Sequence, residues 1–210
     1  TGVQTCALPI YMPTVRLCYL KYRKPYTMNI RNSEYRFSPL VIGLHWLTVI
    51  LIIAVYASME LRGLAPKGAL RDAMKSLHYL LGLSVLVIVV IRIGVRIQAG
   101  VKPAIQPPMP RWQATLADVM HYALYSFMLA MPLLGWLTLS AAGKPIVLFG
   151  LPIPSLIGTD VALSRQFKDV HEALATLGYV LIGLHAMAAL LHHYVMRDNT
   201  VVRMLPGRRP

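Results

Sequence analysis

Four long apolar stretches constrain this chain more than any other feature of its sequence. They occupy residues 38–59, 76–95, 115–141 and 170–196. Each reaches the length of about 20 residues that a helix needs to cross a bilayer. The chain is 56% hydrophobic over 210 residues, which is more apolar than soluble domains of this size. We therefore predict an all-α fold, an integral membrane four-helix bundle within one domain, 28–210.

Positive charge is unevenly distributed among the segments that join these spans. The formal net charge of +13 would, taken alone, suggest a nucleic-acid partner. Fourteen of the 21 basic residues, however, lie before the first span, around the link between the second and third, or after the fourth. The positive-inside rule then puts both termini in the cytoplasm and explains the charge without nucleic acid. The other basic residues form a mildly basic outer surface that would attract a small anion: Arg62, Lys67, Arg71, Lys75, Lys144, Arg165 and Lys168.

The first 27 residues do not fit this domain. Residues 1–10, TGVQTCALPI, lack an initiating Met and read like the translation of a sequencing-adapter oligonucleotide. We interpret them as an artefact and exclude them from fold reasoning; the alternative is a genuine divergent N-terminus. Residues 11–27 are interpreted as a further extension, with Met28 as the native start.

All seven histidines of the chain lie in predicted spans: His45, His78, His121, His171, His185, His192 and His193. Ionisable groups are costly there, so they are candidate functional residues facing the bundle interior. In the last span, His171, Gly178, His185 and His192 recur every seven residues. At 3.6 residues per turn this interval puts them on one face. His171 and His185 are separated by a rise of about 21 Å, too far for one metal ion.

Depth in the membrane sorts four of these histidines into two pairs. Because successive spans alternate in direction, His78 and His171 lie in the outer half, and His45 and His185 in the inner half. Each pair joins two helices, as bis-imidazole ligation of haem b requires. We therefore predict two haem b groups, with iron bound by His78 and His171 in the outer one and by His45 and His185 in the inner one. Gly178 would leave bare backbone against which a flat macrocycle can lie.

Alternatives remain open for the histidines in general and for the inner residues in particular. Any of these histidines could instead make only an interhelical hydrogen bond, and His121 could replace His45 as a ligand. His192 shares the ligand face and is a candidate contact for a haem propionate or a quinone. Arg92 and Arg96 are either ordinary positive-inside residues or propionate partners, and Arg96 is also a candidate quinone contact.

The predicted outer surface holds two further candidates. Arg62, Lys75 and Lys168 flank the outer histidines, where they are either plain surface charge or guides for an anion and partners of a propionate. The apolar segment 148–158 is too short and too rich in proline to span the membrane. We predict an outer loop there, lying on the membrane interface and capping the outer haem.

Three segments of the chain resemble the bacterial cytochrome b561 family. They are GLHWLTVILIIAVYASMELRGLAP at 43–66, SLHYLLGLSVLVIVVIRIGVR at 76–96, and the region from KDVHEALATLGYV to RMLP at 168–206. The tetrapeptide ELRG at 60–63 and the tail HHYVMRDNTVVRMLP at 192–206 are particularly specific. The resemblance covers nearly all of the chain after its first 27 residues.

This resemblance implies a multi-pass inner-membrane protein with two b haems that passes electrons between the outer side and the quinone pool. It implies the same four ligands, His45, His78, His171 and His185, and puts Lys168 near the entry of superoxide. The chain looks closest to the superoxide:ubiquinone oxidoreductase branch, which would need no protein partner. Two rival functions remain: a haem-b anchor subunit of a dehydrogenase or hydrogenase, which would need a peripheral partner, and a non-enzymatic membrane scaffold or small transporter.

Overall fold

The computed structural model describes residues 30–207. Four helices account for most of them: α1, Pro39–Leu64; α2, Ala69–Gln98; α3, Arg111–Ala141; and α4, Val161–Tyr194. Two short strands, β1 (Ile146–Leu148) and β2 (Leu151–Ile153), lie between α3 and α4, and a 3₁₀ helix, Val202–Met204, follows α4. The extension that we interpret at 1–27 lies outside the described residues.

Each of the four helices is long and apolar enough to cross a membrane. The prediction of an all-α four-helix membrane bundle is therefore confirmed. Many large apolar side chains point outwards; Ile50 and Ile53, for example, are more than 60% exposed. In a bilayer such side chains meet lipid tails rather than water. Pro132, which we expected to kink the third span, is buried within α3.

Local capping explains where the helices begin. Ser38 accepts a hydrogen bond from the Val41 backbone N–H at 3.3 Å, and Pro39 occupies the first turn of α1. At the start of α4, the Asp160 side chain accepts a hydrogen bond from the Leu163 backbone N–H at 3.0 Å. Because Asp160 is an effective cap, α4 begins at Val161, earlier than the apolar stretch that predicted a span from residue 170.

The helices pack as two antiparallel pairs, α1 with α2 and α3 with α4, joined through α2 and α3. This order puts the α1–α2 turn and the two strands at one end of the bundle, which we call the hairpin end. The segment from residue 30, the α2–α3 linker and the C-terminal segment lie at the opposite end, which we call the terminal end. The positive-inside rule predicts that the hairpin end is periplasmic and the terminal end cytoplasmic.

The segment between α3 and α4 folds back onto the bundle. Its strands pair antiparallel, with Ile146 opposite Ile153, and Phe149 and Gly150 turn the chain with positive φ angles of 50° and 83°. Ile146 is buried against Leu83 and Leu139. We predicted an outer loop over 148–158. The structure forms a β-hairpin here because alternate residues can be buried on the helices while the chain reverses.

Candidate functional site

Two histidines face each other near the hairpin end. His78 on α2 and His171 on α4 have ring centroids 6.2 Å apart and ring planes inclined at 78°. The Nδ1 atom of His78 lies 3.2 Å from the Val55 carbonyl oxygen and 3.3 Å from the Ser58 hydroxyl. Because a carbonyl only accepts hydrogen bonds, we assign the proton of His78 to Nδ1. Its Nε2 lone pair is then free to bind a metal.

His171 is less completely satisfied by the protein. Its buried Nδ1 atom has no hydrogen-bond partner of normal geometry among the described residues, although the Met131 carbonyl lies close enough to interact with the ring. Gly135 on α3 faces the same ring, and a Cβ atom there would lie 3.6 Å from Cε1 of His171. A buried imidazole that lacks full protein partners is a natural position for binding a further group.

A cavity of about 480 Å³ opens beside this pair. Both histidines line it, together with residues from all four helices, and its volume lies within the range of small-molecule and cofactor sites. Four basic and two acidic side chains surround it, so its lining is positive overall: Glu60, Arg62, Lys75, Lys144, Lys168 and Glu172. The three residues predicted to guide an anion therefore lie together at one cavity.

The acidic members of this lining are held by neighbours. Lys168 Nζ lies 2.9 Å from Glu172, although both side chains are more than half exposed, and the Tyr179 hydroxyl donates to Glu60 at 2.7 Å. Sequence reasoning missed Glu172, although its place four residues after Lys168 on a helix is the usual signal of such a pair. Lys144 was predicted only as one of the basic residues of the outer surface, not as a residue of this cavity.

Histidines gather at the terminal end as well. The ring centroids of His121 on α3 and His185 on α4 are 5.5 Å apart, with ring planes inclined at 78°. The Nδ1 atom of His121 lies 2.5 Å from the Ala117 carbonyl oxygen, so it carries the proton and leaves Nε2 free. The structure thus brings the alternative ligand of the sequence analysis, His121, directly against His185.

His45, the predicted partner of His185, contacts an arginine. The guanidinium of Arg92 lies 2.8 Å from Nδ1 of His45 and 5.5 Å from the centre of the Tyr125 ring. A guanidinium can only donate, so Nδ1 of His45 is the acceptor and the neutral ring holds its proton on Nε2. His185 and His121 both lie within electrostatic range of His45. Ligation by Nε2 of His45 would require Arg92 to turn away.

The remaining predicted residues are at the terminal end. Arg96 lies within electrostatic range of Arg92 and His121. His192 contacts Asp198, with 2.7 Å between Nδ1 and Oδ2. Asp198 was not singled out from the sequence, although it lies inside the quoted tail motif.

The region between the two histidine groups is filled by aromatic side chains. A Cβ atom at Gly178 would overlap the Tyr56 hydroxyl and the Phe127 ring. Tyr56 also donates to the Ala175 carbonyl oxygen at 2.9 Å. Its ring contacts that of Tyr179, with centroids 4.4 Å apart and planes inclined at 52°. The bare backbone at Gly178 therefore receives aromatic side chains. That a macrocycle lies against it stays a prediction.

Comparison with known proteins identifies the family of this chain. A family model described as prokaryotic cytochrome b561 matches residues 36–207. The chain belongs to the prokaryotic cytochrome b561 family. It is 39% identical over 175 residues to cytochrome b561 homolog 1 of Escherichia coli K12, a match covering 83% of this chain and 99% of that protein. Over 174 residues it is 38% identical to a Yersinia pestis protein named "Probable superoxide oxidase CybB", covering 83% and 98%.

Membership of the cytochrome b561 family confirms the resemblance seen in the sequence. A more distant relative, cytochrome b561 homolog 2 of Escherichia coli K12, is 29% identical over 183 residues, with 85% of this chain covered and 95% of the relative. The family implies haem b and electron transfer, and the four helices make the chain a multi-pass inner-membrane protein. The histidines, arginines and lysines assigned above remain predictions as individual site residues.

Proposed function

We propose that this cytochrome b561 uses two haem b groups to oxidise superoxide at the hairpin end and reduce ubiquinone at the terminal end. The net reaction is two superoxide ions, one quinone and two protons giving two molecules of O₂ and one quinol. The observation that carries the proposal is the facing pair His78–His171 beside a cavity with a positive lining.

The residues present at the hairpin end fit haem b. Two imidazoles that bind one metal at about 2 Å each have ring centroids roughly 6 Å apart, and the observed separation is 6.2 Å. Nε2 of His78 is free, while Val55 and Ser58 hold its Nδ1–H. Such contacts to the far nitrogen orient a ligand and raise its basicity. When bound, haem supplies one-electron transfer at a potential set by its ligands and surroundings.

At the terminal end, His185 is a ligand in either pairing and His45 is its proposed partner. His121 is the second candidate because its free Nε2 and its 5.5 Å ring separation from His185 match the pattern of the other pair. If His45 is the ligand, Arg92 is released from Nδ1 and becomes available for a propionate.

The side chains at the cavity mouth attract and orient the anion. Arg62, Lys75 and Lys144 supply positive charge, while Lys168 forms an ion pair with Glu172. A positive, partly enclosed cavity raises the local concentration of a small anion and its rate of association. The predicted positive-inside orientation puts this mouth on the periplasmic side and His192 and Arg96 on the cytoplasmic side.

The first experiment is a reduced-minus-oxidised visible spectrum of the purified protein with haem counted per chain, in wild type and His171→Ala. We expect about two b haems in wild type and one in the variant. Wild type supplied with superoxide and ubiquinone in detergent should form quinol without any partner protein. Absence of haem would leave only the membrane scaffold, whereas two haems without quinol formation would support the anchor-subunit function.

A further inference from the structure

The C-terminal segment after α4 packs against the terminal end of the bundle. The Asn199 side chain accepts a hydrogen bond from the Gln106 backbone N–H at 3.0 Å. Arg203 is buried, donates to the Pro103 carbonyl oxygen and lies 5.6 Å from the centre of the Phe37 ring. These contacts tie the segment to the α2–α3 linker and to the residues before α1.

The same segment reaches α1 beside a proposed ligand. The Trp46 indole donates to the Met204 carbonyl oxygen at 2.8 Å, and Trp46 follows His45 directly in the chain. The segment therefore packs against α1 one residue from a proposed ligand.

One acid–base pair is built into this region. His192 Nδ1 lies 2.7 Å from Asp198 Oδ2, and the two side chains are only 17% and 4% exposed. The other carboxylate oxygen of Asp198 accepts from the Thr200 backbone N–H at 2.8 Å. Burial alone would raise the pKa of Asp198, but the hydrogen bonds from the Thr200 backbone and from His192 hold it below its usual value. Asp198 is therefore an anion that fixes the proton of His192 on Nδ1.

The position of His192 connects this pair to the proposed ligands. It lies seven residues after His185, one rise of about 10 Å along the same face of α4. Reduction of a quinone takes up two protons with two electrons, so a site at this end needs a group that can donate protons. Histidine is the side chain suited to that task, and His192 has a carboxylate to orient it.

We propose that the His192–Asp198 pair delivers protons to the quinone at the terminal end, with His192 as the donor and Asp198 as a positioning residue. This rests on the proposed function, in which a quinone is the acceptor. For each proton, the Nε2–H bond of the His192 imidazolium breaks as an O–H bond forms on the reduced quinone. Water at the terminal end then reprotonates Nε2, while Asp198 stays ionised and holds Nδ1–H throughout.

The test compares two acceptors in the purified holoprotein: ubiquinone, which takes protons, and ferricyanide, which takes electrons alone. We expect Asp198→Asn to slow quinol formation by about tenfold or more, because the amide no longer fixes the imidazole tautomer. Its kinetic solvent isotope effect should rise, while KM for quinone, haem content and the ferricyanide rate stay at wild-type values. Asp198→Glu, which keeps a carboxylate, should restore part of the quinone rate.

A matched control is His193→Gln. The side chain of His193 points about 100° away from that of His192 around the helix, so this variant should leave both rates unchanged. If Asp198→Asn loses haem, His192→Gln decides, since glutamine can still donate to Asp198 but cannot carry an extra proton. Equal slowing with both acceptors, or an unchanged quinone rate in both variants, overturns the proposal. If wild type reduces ferricyanide but forms no quinol, the proposed function itself has failed.

Discussion

The two ends of this bundle hold their histidines in different ways. At the hairpin end, His78 and His171 face each other, with the Nδ1 atom of His78 held by Val55 and Ser58. At the terminal end, His185 has two neighbours: His121 directly against it and His45 engaged by Arg92. The first arrangement is ready for a metal, whereas the second must rearrange if His45 is to bind one.

This difference shows that the helix repeat sets the positions of the histidines, whereas the surrounding residues determine which of them can bind a metal. The seven-residue repeat of α4 brings His171 and His185 to one face at two depths, but it does not choose their partners. A carbonyl or hydroxyl acceptor on the far nitrogen prepares a histidine for metal binding, while an arginine donor on that nitrogen opposes it. The hydrogen bond to the far ring nitrogen therefore distinguishes a histidine that can bind a metal as it stands from one whose neighbours must first move.

The largest expected effect separates the two candidate partners of His185. We expect His45→Ala to lose one of two haems per chain and His121→Ala to retain both, because Arg92 can move from His45 to a propionate. The measurement is haem per chain by pyridine haemochrome, with His185→Ala as the reference for a lost terminal-end haem. Retention of two haems in His45→Ala together with loss in His121→Ala would make His121 the ligand and correct our assignment.

A second prediction concerns the boundary between the ends. Gly178→Ala should destabilise the protein by about 1–3 kcal/mol, because the new methyl group overlaps Tyr56 and Phe127. The temperature of haem release and of helix unfolding in detergent should fall accordingly. Gly183→Ala is the control on the same helix, since a Cβ atom there would meet no atom of residues 30–207 within 4 Å. It should be neutral or slightly stabilising. Equal effects from the two substitutions would mean that the close approach at Gly178 is unimportant.

A smaller effect is expected from the hydroxyl beside His78. Ser58→Ala should weaken haem binding at the hairpin end by a few-fold only, since the Val55 carbonyl still accepts from Nδ1. Haem transfer to apomyoglobin would give the dissociation rates of the two haems separately. The Ser84 hydroxyl donates to the Leu80 carbonyl within α2, so Ser84→Ala should not change either rate. A change confined to the terminal-end haem would contradict the assignment.

The smallest effect concerns charge at the cavity mouth. Glu172→Gln frees Lys168 from its ion pair and should raise the rate with superoxide by about twofold at low salt, with no gain at high salt. The rate with an uncharged reductant should not change. Glu34→Gln, at the terminal end, removes the same charge far from the mouth and should have no effect. A gain that persists at high salt would rule out attraction of the anion as the cause.

Much of the fold was accessible from the sequence because membrane spans depend mainly on length and apolarity. The four helices, the shared face of His171 and His185, and the approach of His78 to His171 all follow from spacing and span direction. The start of α4 was displaced because Asp160 caps a helix whose first turns are too polar to be counted as a span.

Other features depend on contacts between segments, which the spacing of residues in the sequence does not predict. The position of Arg92 on His45 depends on the rotation of α2 against α1, and the aromatic filling at Gly178 depends on side chains from α1 and α3. The carboxylate partner of His192 lies beyond the helix end, where helical spacing no longer applies. Each requires knowledge of how separate segments are packed.

Both histidine pairs include a residue of α4, and this has a consequence for how the protein is made. Helices enter the membrane in the order in which they are synthesised, so α1 and α2 arrive with His45 and His78 unpaired, and α3 adds no partner for His78. Only the last helix brings His171 and His185. A chain released before α4 has been inserted therefore contains neither proposed ligand pair, and maturation into a cytochrome must wait until the last span is in the membrane.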